Sequence, residues 1–296
     1  MATIKGDRPQ VALLVTDLDN TLWDWFGAWH ASFSAMLSNL SAMSGVPQNR
    51  LEDEIRTVHR RRGTTEYSAL LTELPSLQEL HPNENLLEVY DSAIHVLNSE
   101  RLRTTRLYPG VKETIEELRR RNVPVVAYTE AVAYWSEWRI KKTGLDGLIS
   151  TLYTAPDHDL PLGLTVGDLR KLPAEDYGLK ATDHRHTPKG LLKPDTRILR
   201  KIIADQQLQP DQVAYVGDSL MKDVAMAQQI GAHDVFAKYG VAQHRTDYEL
   251  LRRVSHWTDD DIEREESISA GHEVHPSYTL AEGFTEILQY FDFKEA

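Results

Sequence analysis

At 296 residues, 41% hydrophobic and 26% charged, the chain has an ordinary globular composition with room for one large domain or two modest ones, which excludes collagen-like, low-complexity and disulfide-stapled classes. It has no cysteine, so thiolate metal sites, iron–sulfur clusters and a cysteine nucleophile are excluded as well. Lys plus Arg number 33 against 45 Asp plus Glu, and the net charge of −12 argues against a nucleic-acid polymer or an anionic membrane as partner, while a small anionic substrate held by local cations or a metal stays open.

Residues 11–16, VALLVT, form an apolar, β-rich run without helical spacing, which reads as a strand buried on both faces and ending at Asp17. From Trp25 the pattern changes: Trp25, Trp29, Phe33, Met36, Leu37 and Leu40 recur at three- and four-residue intervals, as in an amphipathic helix, until Gly45 and Pro47 stop it. Further helices are expected over 50–62, 65–74 and 84–98, the last with Asn83 as N-cap. No strand is evident before about residue 101, so this stretch reads as an all-α insertion.

After Tyr108-Pro109-Gly110 the spacing predicts helix 111–121, strand 123–129, helix 133–143, strand 148–153, helix 195–206, strand 213–217, helix 221–230 and strand 235–237. Strands alternating with helices imply an α/β fold with a Rossmann-like, doubly wound parallel sheet. Residues 154–190, rich in Pro, Gly, His and Asp, take no assignment, and loops of this length are usually functional or disordered. An amphipathic helix is expected over 280–291, and Thr258 followed by Asp259, Asp260 and Asp261 resembles a helix start with acids at its positive end. No apolar run nears the roughly 18 residues of a membrane span. The first residues, MATIKGDRPQ, carry charges and a proline where a signal peptide needs an apolar segment, so a cytoplasmic location is expected.

Open α/β sheets bind ligands at the carboxyl ends of their strands. Three such ends carry polar groups: Asp17-Leu18-Asp19-Asn20-Thr21, Thr129, and Gly217-Asp218-Ser219 with Asp223 beyond; Lys193 precedes the helix before the third. Carboxylates crowded together repel unless protonated or neutralised, and a hard oxygen-rich site suits Mg2+. Lys193 and the metal could also offset repulsion between an anionic nucleophile and a phosphoryl group. Asp17 would then attack, and Asp19 would protonate the leaving oxygen and later activate water. A D-x-D-x-T pattern alone is weak; its position at a strand end, with Thr129, Lys193-Pro194-Asp195 and GDSLMKD following in order at element boundaries, makes coincidence improbable.

In these residues the chain resembles the haloacid dehalogenase-like hydrolase superfamily: DLDNT at 17–21 is similar to its first motif, Thr129 its second, Lys193 its third and GDSLMKD at 217–223 its fourth. The resemblance implies Asp17 as nucleophile and metal ligand and Asp19 as general acid/base lending its backbone carbonyl to Mg2+. It further implies Thr129 and Lys193 as phosphate-binding groups, Lys193 also orienting Asp17, and Asp218 and Asp223 as metal ligands. The second acid of the first motif, Asp19, points to phosphatases and phosphomutases over dehalogenases. The expected reaction is Mg2+-dependent hydrolysis of a small phosphorylated metabolite through an aspartyl-phosphate; a phosphomutase, or a non-catalytic scaffold binding phosphate or Mg2+, are the alternatives.

The resemblance also makes 25–104 a helical C1 cap inserted into a core of 1–24 and 105–296. The 64 positions from Thr129 to Lys193 suggest an extra insertion at 154–188, forming a flap, a second cap element or an oligomer contact. Glu130, after Thr129, adds negative charge near the phosphate site. Arg60-Arg61-Arg62 reads as a solvated helix end or a site for a second anionic group. Asp157-His158-Asp159 and Asp183-His184-Arg185-His186 invite a second-metal reading, against which a solvated loop is weighed. Trp23 and Trp25 read as pocket mouth or hinge packing, and Tyr134, Trp135 and Trp138 as packing.

Overall fold

The computed structural model describes residues 8–170, 172–258 and 274–296. Its centre is a seven-stranded sheet, every neighbouring pair of strands parallel, in the order β5-β4-β3-β2-β6-β7-β8. The strands are β2 (Leu13–Thr16), β3 (Val125–Val132), β4 (Thr151–Ala155), β5 (Asp183–His186), β6 (Val213–Gly217), β7 (His233–Ala237) and β8 (Tyr278–Leu280). A separate pair joins β1 (Gln10–Val11) to β9 (Asp292–Phe293). The run at 11–16 is therefore shared between two sheets.

Period-two alternation divides the strand side chains between the faces. Leu14, Val125, Ala127, Ala214 and Val216 pack with α6 (Val111–Arg120) and Ile140 of α7 (Ala133–Thr143). Leu13, Val15, Val126, Tyr128, Val213 and Tyr215 pack with α9 (Arg197–Asp205) and α10 (Ala225–Ile230). A sheet covered on both faces needs apolar residues on both, which explains why its strands read as unbroken apolar runs.

Between β2 and β3 the described chain is helical: α1 (Trp25–Ser44), α2 (Gln48–Arg62), α3 (Pro75–Leu80), α4 (Leu86–Val89) and α5 (Asp91–Thr104). The Asp24 carboxylate caps α1 by accepting from Gly27 N at 2.8 Å. Two expectations here are corrected. Helix 65–74 is only a 3-10 turn at Leu70–Glu73, because Gly63-Thr64 break the chain direction and Pro75 opens a new helix. Helix 84–98 is two helices, and the capping side chain is Asn85, accepting from Leu87 N, not Asn83.

The apolar faces of these helices are completed by a segment far along the chain. Ala242, Tyr248, Leu250, Leu251 and Val254, mostly on α11 (Tyr248–Val254), join the same buried cluster as Phe26, Phe33 and Ile55. The rings of Phe26 and Tyr248 lie 5.0 Å apart, His59 Nδ1 donates to Val254 O at 2.6 Å, and Arg253 pairs with Glu52 at 2.7 Å.

The unassigned stretch holds α8 (Val166–Leu169) and β5, whose side chains, DHRH, are too polar to announce a strand. β5 edges the sheet beside β4, where polar and charged residues suit a half-covered edge. At the other end, 280–291 is not one helix: it closes β8, makes a 3-10 turn at Phe284–Glu286 and one short helical turn at Ile287–Tyr290. Phe284, Ile287 and Phe291 are buried in the core, so their spacing reflects packing of an irregular segment. Of the helix start expected at Thr258, residues 259–261 lie outside the described residues. No helix among the described residues is long and apolar enough to cross a membrane.

Candidate active site

The crevice opens at the carboxyl end of β2, the central strand, from which the chain order runs outward in both directions. Asp17 N donates to Val216 O at 2.8 Å, which carries the ladder one residue past β2 and fixes the Asp17 backbone against β6. The next turn is held from several sides. Asn20 sits at φ 57°, and its side-chain oxygen accepts from Phe26 N at 3.0 Å, tying the turn to the first residues of α1. Tyr239 OH donates to Thr21 O at 2.5 Å. Gly240 follows: a Cβ there would stand 1.6 Å from Asn20 O, so only glycine lets the segment after β7 pass beneath the turn.

Four side chains meet in this turn. Lys193 Nζ donates to Asp17 Oδ1 at 2.5 Å and to Asp223 Oδ1 at 2.9 Å, and Thr21 Oγ1 donates to Asp17 Oδ2 at 3.3 Å. Tyr215 OH and Ser219 N also donate to Asp223, at 3.0 and 3.1 Å. The rings of Tyr128 and Tyr215 flank the buried Lys193 ammonium at 5.0 and 5.6 Å. Asp218 completes the group: carboxylate oxygens of Asp17, Asp218 and Asp223 all lie within 4.8 Å of one another, the one such cluster among the described residues.

Burial pushes the Asp17 carboxyl up to about 7, with Lys193 pulling it down and Asp223 and Asp19 pushing it further up. Burial and the neighbouring Asp17 and Asp223 carboxylates hold Asp218 well above the ordinary range. Against burial, Asp17 and Asp223 keep Lys193 charged. Three carboxylates facing one ammonium leave a formal excess of two negative charges, matched by one hard divalent cation on all-oxygen ligands. The residues present thus fit a metal of the Mg2+ type.

Thr129 is buried in an irregularity of β3 between Tyr128 and Val132, where its hydroxyl oxygen accepts from Ala131 N at 3.1 Å and keeps its own proton to donate. Glu130 does not add free charge. Its carboxylate accepts from Lys193 N at 2.6 Å and from Lys222 Nζ at 2.5 Å, so it is spent on clamping the Lys193 loop and the turn after β6 to β3.

Asp19, two residues from Asp17, is not one of the three clustered carboxylates. Its Oδ1 accepts from Trp23 Nε1 at 2.6 Å and lies 3.6 Å from Arg139 Nη1. Burial raises its carboxyl above the usual range, with Arg139 opposing. Arg139, on α7, donates through Nη2 to Glu66, which also accepts from Trp25 Nε1 at 3.1 Å. Trp135 Nε1 donates to Glu66 O at 2.9 Å, and the Arg101 guanidinium of α5 stacks over the Trp135 ring at 4.0 Å. Burial alone would raise Glu66, but Arg139 and Arg101 outweigh it and hold the carboxyl below its ordinary range; burial pulls Arg101 down to about 10. Trp23 also bridges Leu107, pairing the chain entering the helical segment with the chain leaving it. Neither Glu66, Arg101 nor Arg139 was readable as a site residue, because each sits on a helix or turn whose facing partner periodicity does not reveal.

The remaining motifs have local partners. Arg61 and Arg62 both pair with Glu73, and Arg60 Nε donates to Trp257 O. His184 is held between Glu137 at 2.7 Å and Thr154 at 2.8 Å, Asp157 pairs with Arg170 and caps Tyr134 N, and Asp159 pairs with Lys189. No second metal cluster forms among the described residues.

A model of the haloacid dehalogenase-like hydrolase family matches residues 11–231. Among solved structures, the magnesium-bound YfnB of Bacillus subtilis is 13% identical with a TM-score of 0.50, covering 96% of this chain and 98% of its own. The HAD phosphatase of Thermococcus onnurineus is 14% identical with a TM-score of 0.50, covering 94% and 97%. No curated protein matches the sequence. At such identities the solved structures speak for the fold, which agrees with the family match over residues 11–231, the part that carries β2 to β6 and the four motifs: the chain belongs to the haloacid dehalogenase-like hydrolases.

Proposed function

We propose that the protein is a Mg2+-dependent phosphatase of small phosphorylated molecules that works through an aspartyl-phosphate on Asp17. The observation that carries this reading is the Asp17 carboxylate itself, fixed by Lys193 and Thr21 inside a carboxylate cluster and beside a second acid, Asp19, that is not part of it. Asp17 attacks phosphorus, the bond to the leaving oxygen breaks, and Asp19 delivers a proton to that oxygen. Asp19 then takes a proton from water as the water oxygen attacks phosphorus; the bond to Asp17 breaks and inorganic phosphate departs. Thr129 and Lys193 hold the phosphoryl oxygens, and Lys193 also keeps Asp17 oriented.

Mg2+, held by Asp17, Asp218, Asp223 and the Asp19 carbonyl, would offset the negative charge shared by nucleophile and phosphoryl group. The helical segment 25–104 serves as a cap over the site, hinged where Trp23 pairs with Leu107, and the small substrate enters beneath it. The test is phosphate release from an aryl phosphate and from sugar, nucleotide and amino-acid phosphates, with Mg2+ or chelator, in the wild type and Asp17→Asn. Release that needs both Mg2+ and Asp17 is expected; full activity of Asp17→Asn overturns the mechanism. Interconversion of sugar phosphates without release would replace it with a phosphomutase.

A further inference from the structure

Resting on the phosphatase reading, the leaving group departs on the Asp19 side of the phosphoryl group, and the wall there is rich in donors. Trp23, Trp25 and Trp135 contribute indole N–H groups and Arg139 and Arg101 guanidinium groups, all of which only donate, while the carboxylates among them are Asp19 and Glu66. The indoles are all engaged. Arg139 is 3% exposed, yet its Nη1 has no hydrogen-bond partner: Glu66 takes Nη2, and Asp19 Oδ1, already held by Trp23, stands at 3.6 Å. Leaving a buried guanidinium N–H idle is unfavourable unless something completes it.

We propose that Arg139 Nη1, backed by Arg101, recognises a carboxylate on the leaving group, so that the preferred substrates are phosphomonoesters of small hydroxy acids. The guanidinium fork matches a planar carboxylate, and its neighbour on Asp19 places it a few bonds from the oxygen that Asp19 protonates. A monoanion also suits the place better than a second phosphate, whose two charges would face Glu66 and Asp19 together. Arg139 is thus a specificity-determining residue at the seam between α7 and the helical segment, where Glu66 holds it from the opposite side.

The test compares 3-phosphoglycerate with glycerol phosphate, its counterpart with an alcohol in place of the carboxylate, as kcat/KM with Mg2+. The wild type should favour the acid by roughly tenfold or more. Arg139→Gln should erase that ratio through KM, and Arg139→Lys should keep part of it. The same two ligands are titrated against indole fluorescence on an Asp17→Asn background, with and without Arg139→Gln, where no turnover intervenes. Tighter binding of 3-phosphoglycerate that vanishes with Arg139→Gln upholds the subsite even if no ester is hydrolysed, an outcome that removes the phosphatase reading alone. Equal binding of the two ligands by the parent, or a ratio that Arg139→Gln and Arg139→Lys leave unchanged, overturns the subsite.

Discussion

Asp17 and Asp19 stand two residues apart, yet their surroundings are assembled in opposite ways. Asp17 is surrounded by strand ends and the turns that leave them: Asp218 and Asp223 arrive because β2 and β6 pair and the turn after β6 has little freedom, and Lys193 because its loop is held to Glu130 of β3. Asp19 is surrounded by Trp23, just before α1, by Arg139 of α7 and, through Arg139, by Glu66 of the helical segment, brought together by packing between separate elements. A sheet places chemistry by topology, whereas a helix interface places it by complementarity. The first arrangement admits few substitutions anywhere; the second lets one residue change what is recognised while the reacting groups stay put.

Mutations can sharpen that contrast. The largest effect is expected at Asp17, where Asn should lower phosphate release by about 10³-fold or more with little change in melting temperature. Next is Gly240→Ala, far from any reacting atom: the added methyl must displace Asn20 O, so kcat should fall by about 10²-fold and stability by ~1–3 kcal/mol, read by kinetics and thermal unfolding together. If Gly240→Ala were silent, the claim that the turn after β2 tolerates no displacement would be lost.

Metal binding at the carboxylate cluster should stabilise the protein by itself. Mg2+ at about a hundred times its Kd should add ~2.7 kcal/mol to the unfolding free energy, and Asp218→Asn should remove most of that gain, checked by melting curves with and without chelator. The helical segment 25–104 responds to a different variable. Burial pulls His59 down to about 4 from 6.5, so its neutral form contributes stability that is fully present above pH 6.5 and lost as pH falls through about 4. His59→Gln should flatten the stability curve across that window by an amount of order 1–3 kcal/mol while leaving the pH 7.5 to 9 region parallel to the wild type. The smallest effect is expected for Glu130→Gln, which keeps an acceptor for Lys193 N and gives up the pair with Lys222; KM should rise only ~2–5-fold, against a larger loss for Glu130→Ala.

Legibility in the sequence follows the same division. The unbroken apolar runs VALLVT and VAYVG announce strands covered on both faces, and the acids that end them announce a crevice, so β2, β6, Asp17, Asp218 and the alternation of the sheet can be read directly. β5 is hidden because an edge strand is free to carry Asp183, His184, Arg185 and His186. The helix expected at 280–291 fails because apolar spacing is shared by helices and by irregular segments that fill a core. Glu130 looks like a repulsive charge until Lys222 and the Lys193 amide are seen on it. Arg139 looks like one more surface cation of an amphipathic helix, since nothing in its own neighbourhood of sequence tells that Glu66 will lie opposite.

The docking of α11 on the helical segment bears on the order in which the molecule is made. His59 and Val254 are 195 residues apart, and between them the chain lays down β3, β4, β5, β6 and β7. As the chain emerges from the ribosome, α1 and α2 are complete long before Tyr248, Leu251 and Val254 exist, so their apolar faces stay open to other contacts until nearly the whole sheet has been synthesised. The segment at 25–104, continuous in sequence, is therefore among the last parts of the protein to close its core, and a chain truncated before Tyr248 would leave Phe26 and Ile55 without part of their buried surroundings.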